Sequence, residues 1–333
     1  MEIIANTLKL LTIGEVKSHS NLSMVPLIMG VTNEPDYIVL DEALANNTAC
    51  VREVSQFGSV PELLFENKGD TAVLLLDGEE LVGAKQNRII NLSILVPAKT
   101  TITVPVSCVE AGRWAHNSRH FHSEDRAYFA AGRARKSAHI TESLHSNGTR
   151  HSRQGEIWND ISGKASRMNS VSDTDAMSSI YKDHSHDLQQ FVSSLQPVRN
   201  QCGAIFLINN EVCGLDLFDS SVTFEKLSKK LIRSYALDAL DVHHKKEQEN
   251  NSNAVNEFIN HVSIAKCEIF SAVGDGDDVR ISGNMVTGGA LILKDHIVHI
   301  CAFPANKTSN SRSYSDDGEL SRSSQRRRHH LMQ

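Results

Sequence analysis

Residues 73–96 read VLLLDGEELVGAKQNRIINLSILV. Two apolar, β-type runs, 73–76 and 89–96, enclose a polar run from Asp77 to Arg88. Flanks of this kind build the interior of a sheet. A run this polar is costly at a core edge unless it is solvated, paired or bound to something. It marks either a site or a tight, hydrogen-bonded hairpin turn at Asp77-Gly78 with charges paired across strands.

Outward from that stretch, 63–106 gives a succession of strands. They are separated by Asn67-Lys68-Gly69-Asp70, by the polar run and by Pro97-Ala98-Lys99. Thr100 to Val104 is β-branched almost throughout, which suits a pleated strand. Upstream, 22–29 is a strand, 39–46 a helical turn with Leu40 and Leu44 on one side, and 49–54 a half-buried strand. Short strands this close together predict a sandwich, a jelly roll or a barrel. Residues 113–200 differ in kind, being rich in Ser, His, Arg and Asn and thin in aliphatics. Helical periodicity is present around 128–136 and 177–195, and 143–155 is expected as loop. This section is expected to be a polar helical insertion with a mobile portion.

β character returns at 204–208 and 212–218, around the hairpin signal Asn209-Asn210. A helix over 224–242 places Phe224, Leu227, Leu231, Tyr235 and Asp238 on one face. Residues 253–262 form another, and strand pairs 266–273 with 279–282 and 289–293 with 297–303 follow. The Ser/Arg-rich segment 305–333, with Arg326-Arg327-Arg328, is expected as a disordered tail. The expectation is one α+β domain over 1–304. It has a β-rich sandwich or barrel-like core, a helical insertion at 113–200 and helices in the C-terminal half.

The chain of 333 residues can bury one large core or two ordinary ones. Aromatics are 5%, so Ile, Leu and Val carry the packing. A net charge of −6 argues against a whole-protein nucleic-acid binder. The six cysteines include no Cys-x-x-Cys pair, which fits reduced thiols rather than a disulfide or zinc framework. No apolar stretch approaches the ~20 residues of a membrane span, and the start of the chain lacks signal-peptide form. The expected setting is cytoplasmic, with no membrane partner. Walker, Rossmann, Gly-x-Ser-x-Gly and His-Glu-x-x-His motifs are absent, and the sequence specifies no cofactor.

In the polar run, Glu79 and Glu80 suit general acid, base or metal-ligand roles. Lys85 and Arg88 suit anion binding, the arginine bidentately. Gln86 and Asn87 suit the polar edge of a ligand. Where the long β segment ends, Cys108-Val109-Glu110-Ala111-Gly112-Arg113-Trp114 offers a second group. Glu110 can pair with Arg113, or Arg113 can bind an anion beside the Trp114 face. Cys108 is either a nucleophile needing a nearby base or an inert buried residue. His116, His120 and His122 share no single helical or strand face, so no metal site is assigned. Asp238 on its apolar face braces a neighbour or reaches a site. Gly274-Asp275-Gly276-Asp277-Asp278 fails the EF-hand pattern and is expected as a Gly-rich turn, with Arg280 beyond it a candidate contact. Basic residues outnumber acidic ones over 113–167, which suggests an anion-facing surface or a solvated helical face.

Four stretches carry a resemblance: LDEAL at 40–44, LLLDGEELVGAKQNR at 74–88, VPVSCVEAGRW at 104–114 and SYALDA at 234–239. Across about 20–303 the chain resembles the ARG and rhodanese-phosphatase-superfamily-associated protein family, first type, an uncharacterised domain family. The family name records association with ADP-ribosylglycohydrolase-like and phosphatase-like proteins. The resemblance implies a setting in ADP-ribose or nucleotide metabolism, or in prokaryotic conflict systems. The expected function is recognition of an anionic, nucleotide-derived small molecule of ADP-ribose type. Lys85, Arg88 and Arg113 would hold phosphate, Gln86 and Asn87 the polar edge, and Trp114 would stack. One alternative is a hydrolase with Glu79, Glu80 or Glu110 as acid or base. The other is a non-catalytic interaction scaffold.

Overall fold

The structure is a computed structural model describing residues 2–30, 34–55, 58–115, 118, 120–242 and 252–305. The chain opens with α1 (Glu2–Lys9), β1 (Thr12–Ile13), β2 (Lys17–His19) and β3 (Leu22–Ile28). β4 (Tyr37–Val39), α2 (Leu40–Ala45), β5 (Ala49–Glu53), β6 (Glu62–Asn67) and β7 (Ala72–Leu75) follow. Next come β8 (Glu79–Gly83), β9 (Arg88–Ile90), β10 (Ile94–Val96), β11 (Thr101–Cys108) and β12 (Phe121–Ala127). Four helices succeed them: α3 (Ala130–Asn147), α4 (Gln154–Arg167), α5 (Met177–Asp183) and α6 (Ser185–Ser194). The last third is β13 (Gln201–Ile208), β14 (Glu211–Phe218), α7 (Ser221–Asp241), α8 (Ser252–Ile264), β15 (Lys266–Ser271), β16 (Asp277–Ser282), β17 (Val286–Leu293) and β18 (His296–Pro304).

This is an α+β fold built on three sheets. A nine-stranded antiparallel sheet runs β1-β3-β13-β14-β18-β17-β16-β15, with β2 added on β3. Its inner strands, β3, β13, β14, β18 and β17, are largely buried on both faces, which explains their apolar runs. Along β13, Ala204, Phe206 and Ile208 join the core that contains α3 to α7, while Cys202, Ile205 and Leu207 join the core containing α1 and α8. Asn209 and Asn210 take φ values of 51° and 62°, the left-handed pair that a two-residue hairpin turn requires. A six-stranded sheet, β12-β8-β9-β11-β6-β5, curls until its two edges approach. Cys50 Sγ on β5 lies 3.2 Å from His120 Nδ1 just before β12. The small sheet β10-β7-β4 shares a third core with it. The Gly-rich turn meets this unit: Asp275 N–H donates to Leu95 O (2.8 Å), and a Cβ on Gly274 would lie 2.0 Å from that oxygen. No helix among the described residues is long and apolar enough to cross a membrane.

The middle of the chain departs from its expectation in three places. Phe121–Ala127 is a strand, α3 runs on to Asn147, and α4 occupies Gln154–Arg167. The cause is the chemistry of the buried faces. α3 buries Arg133, Lys136 and Ser137 beside Ala134, Ile140 and Leu144, so its inward stripe is not apolar. α4 buries only Ile157, Ile161 and Lys164. The expected tail, 305–333, lies outside the described residues from 306 onward.

A charged network joins the layers. Arg133 Nε donates to Asp77 Oδ1 (2.9 Å), and its terminal nitrogens donate to both oxygens of Asp216 on β14 (2.6 and 3.1 Å). Lys136 Nζ reaches Asp77 Oδ2 at 2.6 Å. Tyr235 on α7 donates to Asp216, and His299 on β18 bridges Asp216 to Ser93. Arg133 and Lys136, despite lying in the polar middle of the chain, therefore sit at its centre, fully buried. Asp238 does similar work nearby. Its carboxylate accepts from the Ala131 N–H in the first turn of α3 (2.7 Å) and pairs with Lys164 (2.7 Å).

Candidate functional site

β8 and β9 form a hairpin whose turn is 84–87, not Asp77-Gly78, which instead leads into β8. Gly83 has φ 133°, and a Cβ there would lie 2.6 Å from Ser118 Oγ. The turn residues are fixed by the segment after β11. Asn87 N–H donates to Glu110 Oε2 (3.0 Å), and Gln86 Nε2 donates to Glu110 O (3.0 Å). The polar run and the 108–114 segment thus form one site. Gly112 permits a further close approach, since a Cβ would lie 2.9 Å from Thr174 Cα.

Within this site the side chains divide sharply. Glu79 is fully buried against Lys230, with added donors from Leu76 N–H and Ser123. Glu80 is fully buried against Arg126 Nε (2.6 Å). Burial raises both carboxyls above their ordinary range, while Lys230 and Arg126 pull them down. Burial also pushes Glu110 up, but hydrogen bonds from Arg113, the Asn87 amide and Thr174 hold it below the ordinary value. Arg113 donates from Nη1 to Ala84 O and Ala115 O, and from Nη2 to Glu110 Oε2 (2.6 Å) and Asn87 Oδ1 (3.2 Å). It braces the turn. Asn87 Oδ1 also accepts from Gly83 N–H. Gln86 Oε1 accepts from Arg88 Nη1 (3.1 Å) and Cys108 Sγ (3.3 Å). Cys108 is fully buried, and burial raises its thiol.

Arg88 is different. Its side chain is fully buried, yet Nε and Nη2 have no hydrogen-bond partner among the described residues. Nη1 reaches only Gln86 Oε1 and Asn87 O. Arg133, Lys136, Lys164, Lys230 and Arg280, the other cations buried this deeply, each meet a carboxylate. Arg88 forms no ion pair among the described residues; Glu53 and Glu110 act on it only at longer range. Burial lowers its guanidinium pKa, but an arginine this far above neutrality stays charged. Trp114, 49% exposed, covers it: the ring centroid lies 5.8 Å from Arg88 Cζ and 5.1 Å from Lys85 Nζ. A cation–π contact gives ~0.5–2 kcal/mol. Burying an uncompensated ion costs several kcal/mol, so the ring does not balance Arg88 alone.

Glu53 joins the cluster without a sequence signal. Its Oε1 accepts from Lys85 N–H (3.4 Å), while Oε2 is buried without a hydrogen-bond partner among the described residues. Of the three histidines, His120 contacts Cys50, His122 lies 3.4 Å from Glu124, and His116 lies outside the described residues. No group of three or more potential metal ligands occurs among the described residues. Arg280 is sealed against Asp278, Ser137 and Thr141, away from the site.

Neither a curated protein nor a solved structure matches the chain. A family model does, over residues 10–303, and it covers both the hairpin and the segment that braces it. The chain belongs to the family of the ARG and Rhodanese-Phosphatase-superfamily-associated Protein domain.

Proposed function

We propose that the protein recognises an anionic, nucleotide-derived small molecule of ADP-ribose type, held at Arg88 and Lys85 beneath Trp114. One observation carries this reading: among the described residues, Arg88 is a buried guanidinium with two unpartnered nitrogens and no carboxylate in contact. A phosphate oxygen pair matches the planar fork of those nitrogens. The Trp114 ring offers a base or sugar a stacking face once it yields the cations to the ligand. Arg113, Gln86, Asn87 and Glu110 then act as positioning residues, because their polar atoms already hold the turn. The hydrolase alternative needs a carboxylate available to substrate. Glu79, Glu80 and Glu110 are each engaged by a cation, so binding is the reading the geometry supports best. The family name associates this domain with ARG and rhodanese-phosphatase proteins, which fits a cytoplasmic role in nucleotide metabolism or prokaryotic conflict.

The test is a titration followed by tryptophan fluorescence and calorimetry, with ADP-ribose, AMP and inorganic phosphate as probes. The chain has two tryptophans, so Trp114→Phe isolates the signal of Trp158. The expected result is saturable binding that moves Trp114 emission and weakens at least tenfold in Arg88→Met, about 1.4 kcal/mol. Binding should weaken moderately with salt, since a buried pair is screened less than an exposed one. Unchanged affinity in Arg88→Met, or no response to any probe, would leave the scaffold reading ahead.

A further inference from the structure

A second concave surface carries the opposite kind of signal from the polar run: an open groove with positive charge in excess. It holds about 500 Å³ between β12, α5, α6 and α7. That volume lies within the ~300–1,000 Å³ typical of small-molecule sites. Arg126, Lys182 and Arg233 line it together with Ser178, Ser179 and Ser185, and no acidic residue among the described ones does. The side chains of Tyr181 and Leu188 supply an apolar wall. The Tyr181 hydroxyl is engaged elsewhere, donating to Ala127 O at 2.6 Å.

The three cations are differently committed. Arg126 gives its Nε to Glu80, and beyond that Nη1 has only Glu124 Oε2 at 3.8 Å. Arg233 donates to Asp125 O (3.3 Å) and Gln189 Oε1 (3.2 Å), and its buried Nε has no partner among the described residues. It makes no ion pair among the described residues, because the Asp125 carboxylate is taken by Lys229. Lys182 is exposed and makes neither hydrogen bond nor ion pair among the described residues. The three serine hydroxyls likewise have no described partner. Converging cations and hydroxyls with no acid among them form a receptor for a compact oxyanion.

We propose that this groove binds the phosphate of a small phosphate ester, with Arg233 and Lys182 as principal contacts, Arg126 and the serines completing the oxygen shell, and the ester's organic part against Tyr181 and Leu188. The site is separate from the Arg88 cluster and does not rest on that reading. The two are linked through Arg126, Glu80 and the Asn87 amide, whose Nδ2 lies 3.5 Å from Glu80 Oε1.

Calorimetric titration of the full chain with inorganic phosphate, AMP and adenosine tests the proposal. AMP and phosphate should bind and adenosine should not. The double variant Lys182→Met/Arg233→Met should weaken AMP at least tenfold with an unchanged melting temperature. Arg88→Met, carried through the same titrations, should weaken only the component of AMP binding that moves Trp114 emission and keep the component that the double variant weakens, which separates the two sites. The proposal is overturned if neither AMP nor phosphate binds at millimolar concentration, if adenosine binds as well as AMP, or if the double variant retains wild-type affinity. Loss of all AMP binding in Arg88→Met alone would also overturn it.

Discussion

Two fully buried arginines, Arg133 and Arg88, sit in the same molecule under opposite conditions. Arg133 lies between two carboxylates, Asp77 and Asp216, and Tyr235 and His299 complete the second of them. Arg88 has a glutamine, a backbone carbonyl and an aromatic face. The first arrangement is closed: charges cancel, and the network ties α3 to two sheets. The second leaves a positive charge unmet. A buried ion without its counter-ion lowers stability, so its presence is best explained by a partner that arrives from outside. Carboxylates on one stretch show the same contrast. Asp216 is held well below the ordinary range: burial alone would raise it, but Arg133 outweighs that. Asp219, three residues on, has no lysine or arginine in contact among the described residues, only the His296 ring at 3.8 Å, and burial pushes it up to about 6.

The contrast can be broken most forcefully at Arg133. Arg133→Met takes from Asp216 its arginine and leaves Asp77 with Lys136 alone, and should cost about 3–5 kcal/mol in urea denaturation. A loss below about 1 kcal/mol would mean that the closed network carries little of the fold. A smaller effect is expected at Asp219. Its folded value, about 6, stands above the ordinary 3.8, so the folded state holds this proton more tightly than the unfolded chain does. Its contribution is complete below about pH 4 and is lost as pH rises through about 6, an order of 3 kcal/mol. The stability of Asp219→Asn should lack that step. Identical pH profiles for wild type and variant would refute the assignment. Asp238→Ala removes the cap of α3 and one partner of Lys164, and should cost roughly 1–3 kcal/mol. If thermal unfolding instead moves by less than a degree, the cap is dispensable.

Much of the fold was legible because apolar, β-type runs, the Asn209-Asn210 turn and the stripe on α7 are local signals. The polar run and the 108–114 segment were legible as polar residues in apolar surroundings. Their division of labour was not. Nothing in the sequence distinguishes Arg113, whose terminal nitrogens are taken up by the 84–87 turn and Glu110, from Arg88, two of whose nitrogens have no partner among the described residues. The middle third misled for a related reason. Its basic excess suggests a charged surface, but Arg126, Arg133, Arg135, Lys136, Arg150, Lys164 and Arg167 each turn to an acid. Most of those acids lie outside 113–167, so the charge reversal along the chain is an internal complementarity. Only the tertiary structure pairs the two signs.

The central claim is that Arg88 is kept for a ligand and not for the fold. Urea denaturation of Arg88→Met without ligand, beside wild type, tests it most directly. The account predicts stability within about 1 kcal/mol of wild type, or above it, because the substitution removes an uncompensated buried charge. It also predicts that a binding anion raises the wild-type midpoint by mass action and raises that of the variant less. A loss of 3 kcal/mol or more in the ligand-free variant would show Arg88 to be a structural cation like Arg133, and would contradict the account.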